Sequence, residues 1–169
     1  MTDFIEDEGL SFLAHLMRRL SDEFVRGCAE WYPTAGMISP PRCASTLHAL
    51  DRFGPLGITD IAREISQSHP LAIRWVRQLM ALELVETKTD TSDKRRTIVT
   101  LTAAGEAEMT RSRLADAVIE QAYRNLMREA DAPVFEALWR IERACRAKPF
   151  EERLHLAMAE VATGNALQD

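Results

Sequence analysis

Apolar residues recur at helical spacing over residues 4–32, where Leu13, Leu16, Met17, Leu20, Phe24, Cys28 and Trp31 share one face. That spacing predicts one long helix ending before Pro33, followed by the turn-rich connector TAGMISPPR. A second helix is predicted over 42–53, with Leu47, Leu50 and Phe53 inward, and FGPLG breaks the chain after it. A short helix follows at about 59–66, with Thr59 as its cap and Ile61 and Ile65 one turn apart. Ser66-Gln67-Ser68 forms a polar turn, and the next helix runs over 69–83. Ser68 caps it, and Pro70 is tolerated in a first turn because its missing N–H has no helical partner there. Ala72, Val76, Leu79 and Met80 make its buried stripe, while Arg74, Arg77, Gln78 and Ala81 lie opposite.

The period then changes. LVETKT and TIVTLT alternate apolar and polar residues, as half-buried strands do, and the charged turn DTSDKRR joins them into a hairpin. A long helix starts at Thr102 or Ala103 and runs to about Glu129, with Leu114, Val118, Ala122 and Leu126 as its core face. Asp131-Ala132-Pro133 interrupts it. A helix over 133–147 turns Val134, Leu138, Ile141 and Cys145 inward, and Lys148-Pro149 stops it. A last amphipathic stretch covers about 150–162, with Leu154, Met158 and Val161 on one side. The fold class is therefore mainly α with a small β-hairpin. A short helix, a turn, a second helix and a hairpin, in that order, make a winged helix-turn-helix. The DNA major groove is about 12 Å wide and admits one helix, and a basic hairpin beside it reaches phosphates or the adjacent minor groove.

Composition narrows the options. The 169 residues are 46% hydrophobic and 28% charged, enough for a core without disulfide staples. Seven Gly and seven Pro exclude collagen-like and low-complexity chains. No run of about 18 apolar residues occurs, and the start MTDFIEDEGL is acidic where a signal peptide is basic. A cytoplasmic location with no membrane partner is expected. The net charge of −5 argues against a nucleic-acid partner until its distribution is considered. Acid gathers at the two ends, and the stretches 66–82 and 87–97 together carry +4. Local charge governs phosphate contact, because screening limits its reach to about 8 Å. The odd count of cysteines (Cys28, Cys43, Cys145) fits reduced thiols. Scattered histidines, with no zinc-finger spacing and no HExxH, predict no metal and no cofactor.

The stretch ITDIAREISQSHPLAIRWVRQLMALELVETKTDTSDKRRTIVTLTAAG resembles the MarR family of winged-helix transcription factors. Its most specific part is Asp90-Thr-Ser-Asp93-Lys-Arg95-Arg, then Leu101-Thr102 and Gly105. The family's wing commonly reads Asp-Pro-x-Asp-Arg-Arg. Here Thr91 replaces Pro, Lys94 replaces the first Arg, and Glu83 stands where the family usually has Gly. The resemblance implies a ligand-responsive repressor that binds a pseudo-palindromic double-stranded DNA operator as a homodimer. It divides the chain into a dimerisation helix and connector (1–41), a DNA-binding lobe (42–102) and C-terminal dimerisation helices (103–169).

Arg74, Arg77 and Gln78 are the expected DNA readers, with Ser68 and His69 at the helix start, where base contacts begin. The wing pattern implies that Asp93 pairs with Arg95 and holds it toward the minor groove. Lys88, Lys94 and Arg96 are expected on phosphates, which position a protein without reading sequence. His15, Trp31, Tyr32 and His48 are candidates to line a pocket for a small aromatic or phenolic effector. Three alternatives stand beside this reading. One is a winged-helix protein–protein adaptor. Another is a thiol-based redox sensor using Cys28, which lies on an apolar stripe with Glu30 close by, whereas reactive thiols need electropositive surroundings. The third is an enzyme using Cys28 and His15, which on one unbroken helix stand about 20 Å apart.

Overall fold

The computed structural model describes residues 3–91, 93–94 and 96–165. The chain forms two compact units that meet between Val118 and Ile119.

The first helical segment is three pieces, where the spacing predicts one. Helix α1 (Phe4–Glu8) is capped by Asp3, whose Oδ1 accepts the Ile5 N–H at 2.9 Å. A 3-10 turn over Gly9–Phe12 follows, then α2 (Leu13–Trp31). Gly9 causes the break: its φ of 66° and ψ of −148° lie far from helical values and suit a residue without Cβ. The Phe4 and Phe12 rings then meet edge to face, 5.7 Å apart.

Helix α3 (Ala44–Phe53) buries Leu47 and Leu50 as expected. Phe53 is a correction: it is exposed at the last turn, under the Arg52 guanidinium. The FGPLG break contains a strand that the pattern did not show, β1 (Leu56–Gly57). Helix α4 (Ile58–Glu64) has Gly57, not Thr59, at its N-cap and buries Ile61. Helix α5 (His69–Ala81) buries Ala72, Val76 and Leu79, but Met80 is exposed. Ser68 holds the N-cap position without a side-chain bond, and its carbonyl accepts the Ala72 N–H at 3.1 Å. Glu83, at the position where the resemblance expects Gly, takes the left-handed φ of 56°.

Strands β2 (Val85–Thr89) and β3 (Thr97–Leu101) pair antiparallel, with Thr87 opposite Val99. β1 adds to the far edge of β3, so the sheet order is β1-β3-β2. Leu84, Val85 and Val99 join Leu47, Leu50, Ile61, Val76 and Leu79 in one core.

Helix α6 (Ala103–Glu129) starts where predicted. Thr102 caps it by accepting the Gly105 N–H at 3.0 Å, and its hydroxyl donates to the Glu83 carbonyl at 2.6 Å. A Cβ on Gly105 would overlap the carbonyl of Leu84, just before β2, so only glycine lets helix and hairpin approach this closely. The buried face of α6 is Gly105, Glu108, Met109, Ser112 and Ala115. The predicted face of Leu114, Val118, Ala122 and Leu126 is exposed instead, with Leu114 at 74%. The two faces are offset by about a quarter-turn around the helix, and the one containing Glu108 meets the connector.

Connector and helix are joined by that carboxylate. Glu108 Oε1 accepts the Ile38 N–H (2.9 Å), the Ser39 N–H (2.8 Å) and the Ser39 hydroxyl (2.6 Å). Oε2 accepts from the Arg111 guanidinium at 2.8 Å. The side chain has 0% exposure. Burial raises its pKa, but the bonds from Ser39, Arg111 and Ile38 outweigh that and hold the carboxyl below the ordinary 4.5.

The second unit contains the rest of α6, α7 (Val134–Ala147) and α8 (Phe150–Asn165). Arg153 ties α8 to the end of α7 by donating to the Ala144 carbonyl at 2.8 Å. Val134, Leu138, Ile141 and Cys145, predicted inward, are exposed, as are Leu154, Met158 and Val161. The amphipathic pattern is present, and its apolar side is exposed among the described residues.

Removing the Glu108 partner set is expected to be costly. Glu108→Ala leaves the Ser39 and Ile38 donors unanswered and should destabilise the fold by roughly 3 kcal/mol, since breaking a buried ion pair costs about 3–5 kcal/mol and Arg111 is still half in water. Because the folded pKa is depressed, the stabilisation is complete above pH 4.5 and is lost as pH falls through the lower folded value. Urea melts of the wild type between pH 3 and 7 should show this acid loss, and Glu108→Gln should flatten it.

Candidate nucleic-acid interface

The candidate interface comprises one helix and one hairpin. The buried stripe of α5 fixes its rotation, and that leaves Arg74, Arg77 and Gln78 exposed on the other side. Ser68 and His69 are exposed at its start. Arg74 and Arg77 have no ion pair among the described residues, so both guanidinium groups are available to an anion. Gln78 is engaged from behind: the buried Cys43 thiol donates to its Oε1 at 3.3 Å.

The wing cations differ from one another. Lys88 pairs with Glu86 on its own strand at 2.7 Å, both exposed to water. Such a pair is worth about 0–1 kcal/mol, so the amine is readily given up to a phosphate. Lys94 is exposed at the turn. Arg95, and with it the pairing implied between Asp93 and Arg95, lies outside the described residues. Arg96 pairs with Asp60 of α4, an interaction absent from the sequence reading. Asp60 also accepts from Arg63 at 2.6 Å. Partial burial raises the Asp60 pKa, but the two guanidinium groups outweigh it and hold the carboxyl below 3.8.

The candidate effector residues are distributed. Trp31 and Tyr32 meet edge to face at 6.4 Å, with Tyr32 buried. His48 Nε2 lies 3.2 Å from Ser112 Oγ and 3.3 Å from Asp116 Oδ2, both on α6. His15 is exposed on α2 and lines a charged depression with Arg18, Arg19, Asp22, Glu23 and Arg26, which contains none of the other three. Both Asp116 and Ser112 contact one nitrogen of His48, so the trio does not have the relay geometry of a hydrolase, which needs acid and nucleophile on different ring nitrogens. Cys28 and His15 stand on the uninterrupted α2, about 20 Å apart along its axis, and form no dyad. Among the described residues no cluster of three His, Cys, Asp or Glu could hold a metal ion.

The thiols differ in burial. Cys43 has 0% exposure, and burial pushes its pKa up to about 11. Burial also raises that of half-buried Cys28. Cys145 is exposed.

Asp60, Gly57 and Glu108 were not singled out in the sequence. The available signal for Asp60 was an acid in the first turn of a short helix, three residues before an arginine. For Glu108 it was a charged residue directly beside Met109 and three after Gly105.

No family model matches the chain, and no curated protein matches it. Solved structures do. A probable transcriptional regulator from Pseudomonas aeruginosa superposes with a TM-score of 0.62 at 22% identity, over 76% of this chain and 96% of that one. The PcaV transcriptional regulator from Streptomyces coelicolor, in complex with its natural ligand, gives 0.64 at 21%, over 79% and 93%. A mutant MarR from E. coli complexed with operator DNA gives 0.62 at 17%, over 88% and 100%. At these identities the likeness is one of fold: three strands in the order β1-β3-β2 beside the α4–α5 pair, with long helices before and after, give this chain the winged helix-turn-helix fold of the MarR-type regulators.

Proposed function

We propose that the protein is a sequence-specific DNA-binding transcriptional regulator, a repressor that acts as a homodimer on a pseudo-palindromic operator and is not an enzyme. The observation that carries this is the pair of arginines, Arg74 and Arg77, exposed one turn apart on α5 and without ion pairs among the described residues, beside a hairpin bearing Lys88 and Lys94. Supporting it, E. coli MarR of the same fold has been solved with operator DNA. In this reading residues 42–102 read DNA, and 1–41 and 103–169 form the dimer. The exposed Leu114, Val118, Leu138, Ile141 and Leu154 are the apolar surface that a second copy covers. The protein works in the cytoplasm, and no described helix is long and apolar enough to cross a membrane.

Control is by a small aromatic or phenolic effector at Trp31, Tyr32 and His48, in keeping with PcaV, which was solved with its natural ligand. Such an effector weakens operator binding by its differential affinity for two dimer geometries, typically about 1–3 kcal/mol or 5–150-fold. Oxidation of Cys28 or Cys43 is disfavoured as the signal, because a thiol whose pKa is raised by burial supplies little thiolate.

Selection of bound sequences from random duplex DNA tests the reading, with light scattering for the dimer. Arg74→Ala and Arg77→Ala should weaken binding, and whichever arginine reads a guanine should lose roughly 1–3 kcal/mol of base discrimination. Lys94→Ala should weaken binding evenly on all sequences and reduce the salt slope by roughly 0.9. Unchanged affinity and preference in both arginine variants would transfer the lead to a protein–protein adaptor. A monomer mass that persists with rising concentration would refute the dimer.

The cysteines give a separate readout. Under a limited amount of alkylating reagent at neutral pH, mass spectrometry should find Cys145 modified first, Cys28 more slowly, and Cys43 only in denaturant. Operator release by low peroxide in the wild type, abolished when all three cysteines are replaced by Ser, would overturn control by ligand.

A further inference from the structure

Arg96 holds the foot of the wing loop. Arg96 accepts the Asp90 N–H on its carbonyl at 2.9 Å and donates its own N–H to the Asp93 carbonyl at 2.9 Å. Its side chain leaves the hairpin altogether and pairs with Asp60 on α4, thirty-six residues earlier. Asp60 is only 17% exposed, and its other oxygen is taken by Arg63. The space for this pairing exists because residue 57 is glycine. A Cβ there would sit 2.7 Å from Arg96 Nε and 3.0 Å from Asp60 Oδ2. Gly57 also belongs to β1 and pairs with Ile98, two residues beyond Arg96.

We propose that Arg96 is a positioning residue and not a phosphate contact: its pairing with Asp60 across Gly57 locks the wing onto the helix-turn-helix, and so sets where the wing tip stands relative to the reading face of α5. This rests on the DNA-binding reading above. Lys88 is paired with a well-exposed carboxylate and leaves it at little cost, whereas the Asp60 carboxylate is only 17% exposed, holds Arg96 more firmly and would repel an approaching phosphate. The lock serves specificity. A helix and a wing must enter adjacent grooves in one register, and a wing free to swing would still find phosphates, but not the same ones relative to the bases under α5.

Three variants separate the roles. Asp60→Asn removes the partner and leaves the Arg96 charge. Gly57→Ala keeps both charges and displaces the guanidinium, at a backbone φ of −69° that alanine accepts. Arg96→Gln removes the charge. Each is measured for binding to the selected operator and to scrambled duplex across a salt series, and for amide hydrogen exchange without DNA. The lock predicts a several-fold loss of operator affinity in all three, with scrambled-DNA affinity and salt slope close to wild type. It also predicts faster exchange at the Asp90 and Arg96 amides while α5 stays protected. A phosphate contact predicts instead that Arg96→Gln lowers the slope by roughly 0.9, and that Asp60→Asn, which frees a cation, binds all DNA more tightly. Either of those results overturns the proposal, as does unchanged exchange at the wing. If the wild type enriches no sequence, the regulator reading fails, and the exchange data still decide whether Asp60 and Arg96 hold the wing.

Discussion

A buried, ionised carboxylate is the constraint on which the first unit depends. Desolvating Glu108 carries a penalty of several kcal/mol unless the charge is answered by hydrogen bonds. Its answers come from Ile38 and Ser39, about seventy residues earlier, and from Arg111 on its own helix. The connector after α2 is therefore not free to choose its path. Gly36, at a left-handed φ of 69°, lets it turn, and the Arg111 stem packs against that glycine. Once residues 38 and 39 are docked on α6, the start of α3 is fixed. Leu47 and Leu50 then bring α3 into the core against which α4 and α5 pack. The exposed arginines of α5 inherit their direction from this chain of contacts.

A second charge pair, weaker because it is nearer to water, does for the hairpin what Glu108 does for the connector. Both use an acid on a helix to hold an irregular segment whose own hydrogen bonds are local. The difference in burial divides their consequences. Loss of Glu108 threatens the fold, whereas loss of Asp60 leaves the core intact and frees only an appendage.

Much of this architecture was legible. Periods of 3.6 and 2 marked α3, α5, the hairpin and the start of α6, and the buried stripe of α5 was enough to place Arg74, Arg77 and Gln78 outward. What escaped had physical reasons. Gly9 sits in a continuous apolar pattern with no proline to announce the break. β1 is two residues long and has no periodicity. The stripe of Leu114, Val118, Ala122 and Leu126 was visible as apolar, but a pattern shows which side of a helix avoids water, not what covers it. Neither acid could be placed, because Glu108 and Asp60 owe their roles to partners 69 and 36 residues away. Arg96 was assigned to phosphate for the same reason: its charge was in the sequence and its partner was not.

The Thr102 hydroxyl sits at the base of the hairpin and bonds in two directions, to the Glu83 carbonyl before β2 and from the Gly105 N–H in α6. The strand register is thus set at the open end of the hairpin, away from the turn. A one-residue slip would carry Val99 out of the core and pull Thr102 off Glu83. The tip is a different matter, since Thr102 lies at the far end of β3 from the turn and its two bonds do not depend on the length of the loop. A change of length in the turn would leave the Val85–Leu101 pair and the Thr102–Glu83 bond in place, so the reach of the wing can change while its footing stays constant.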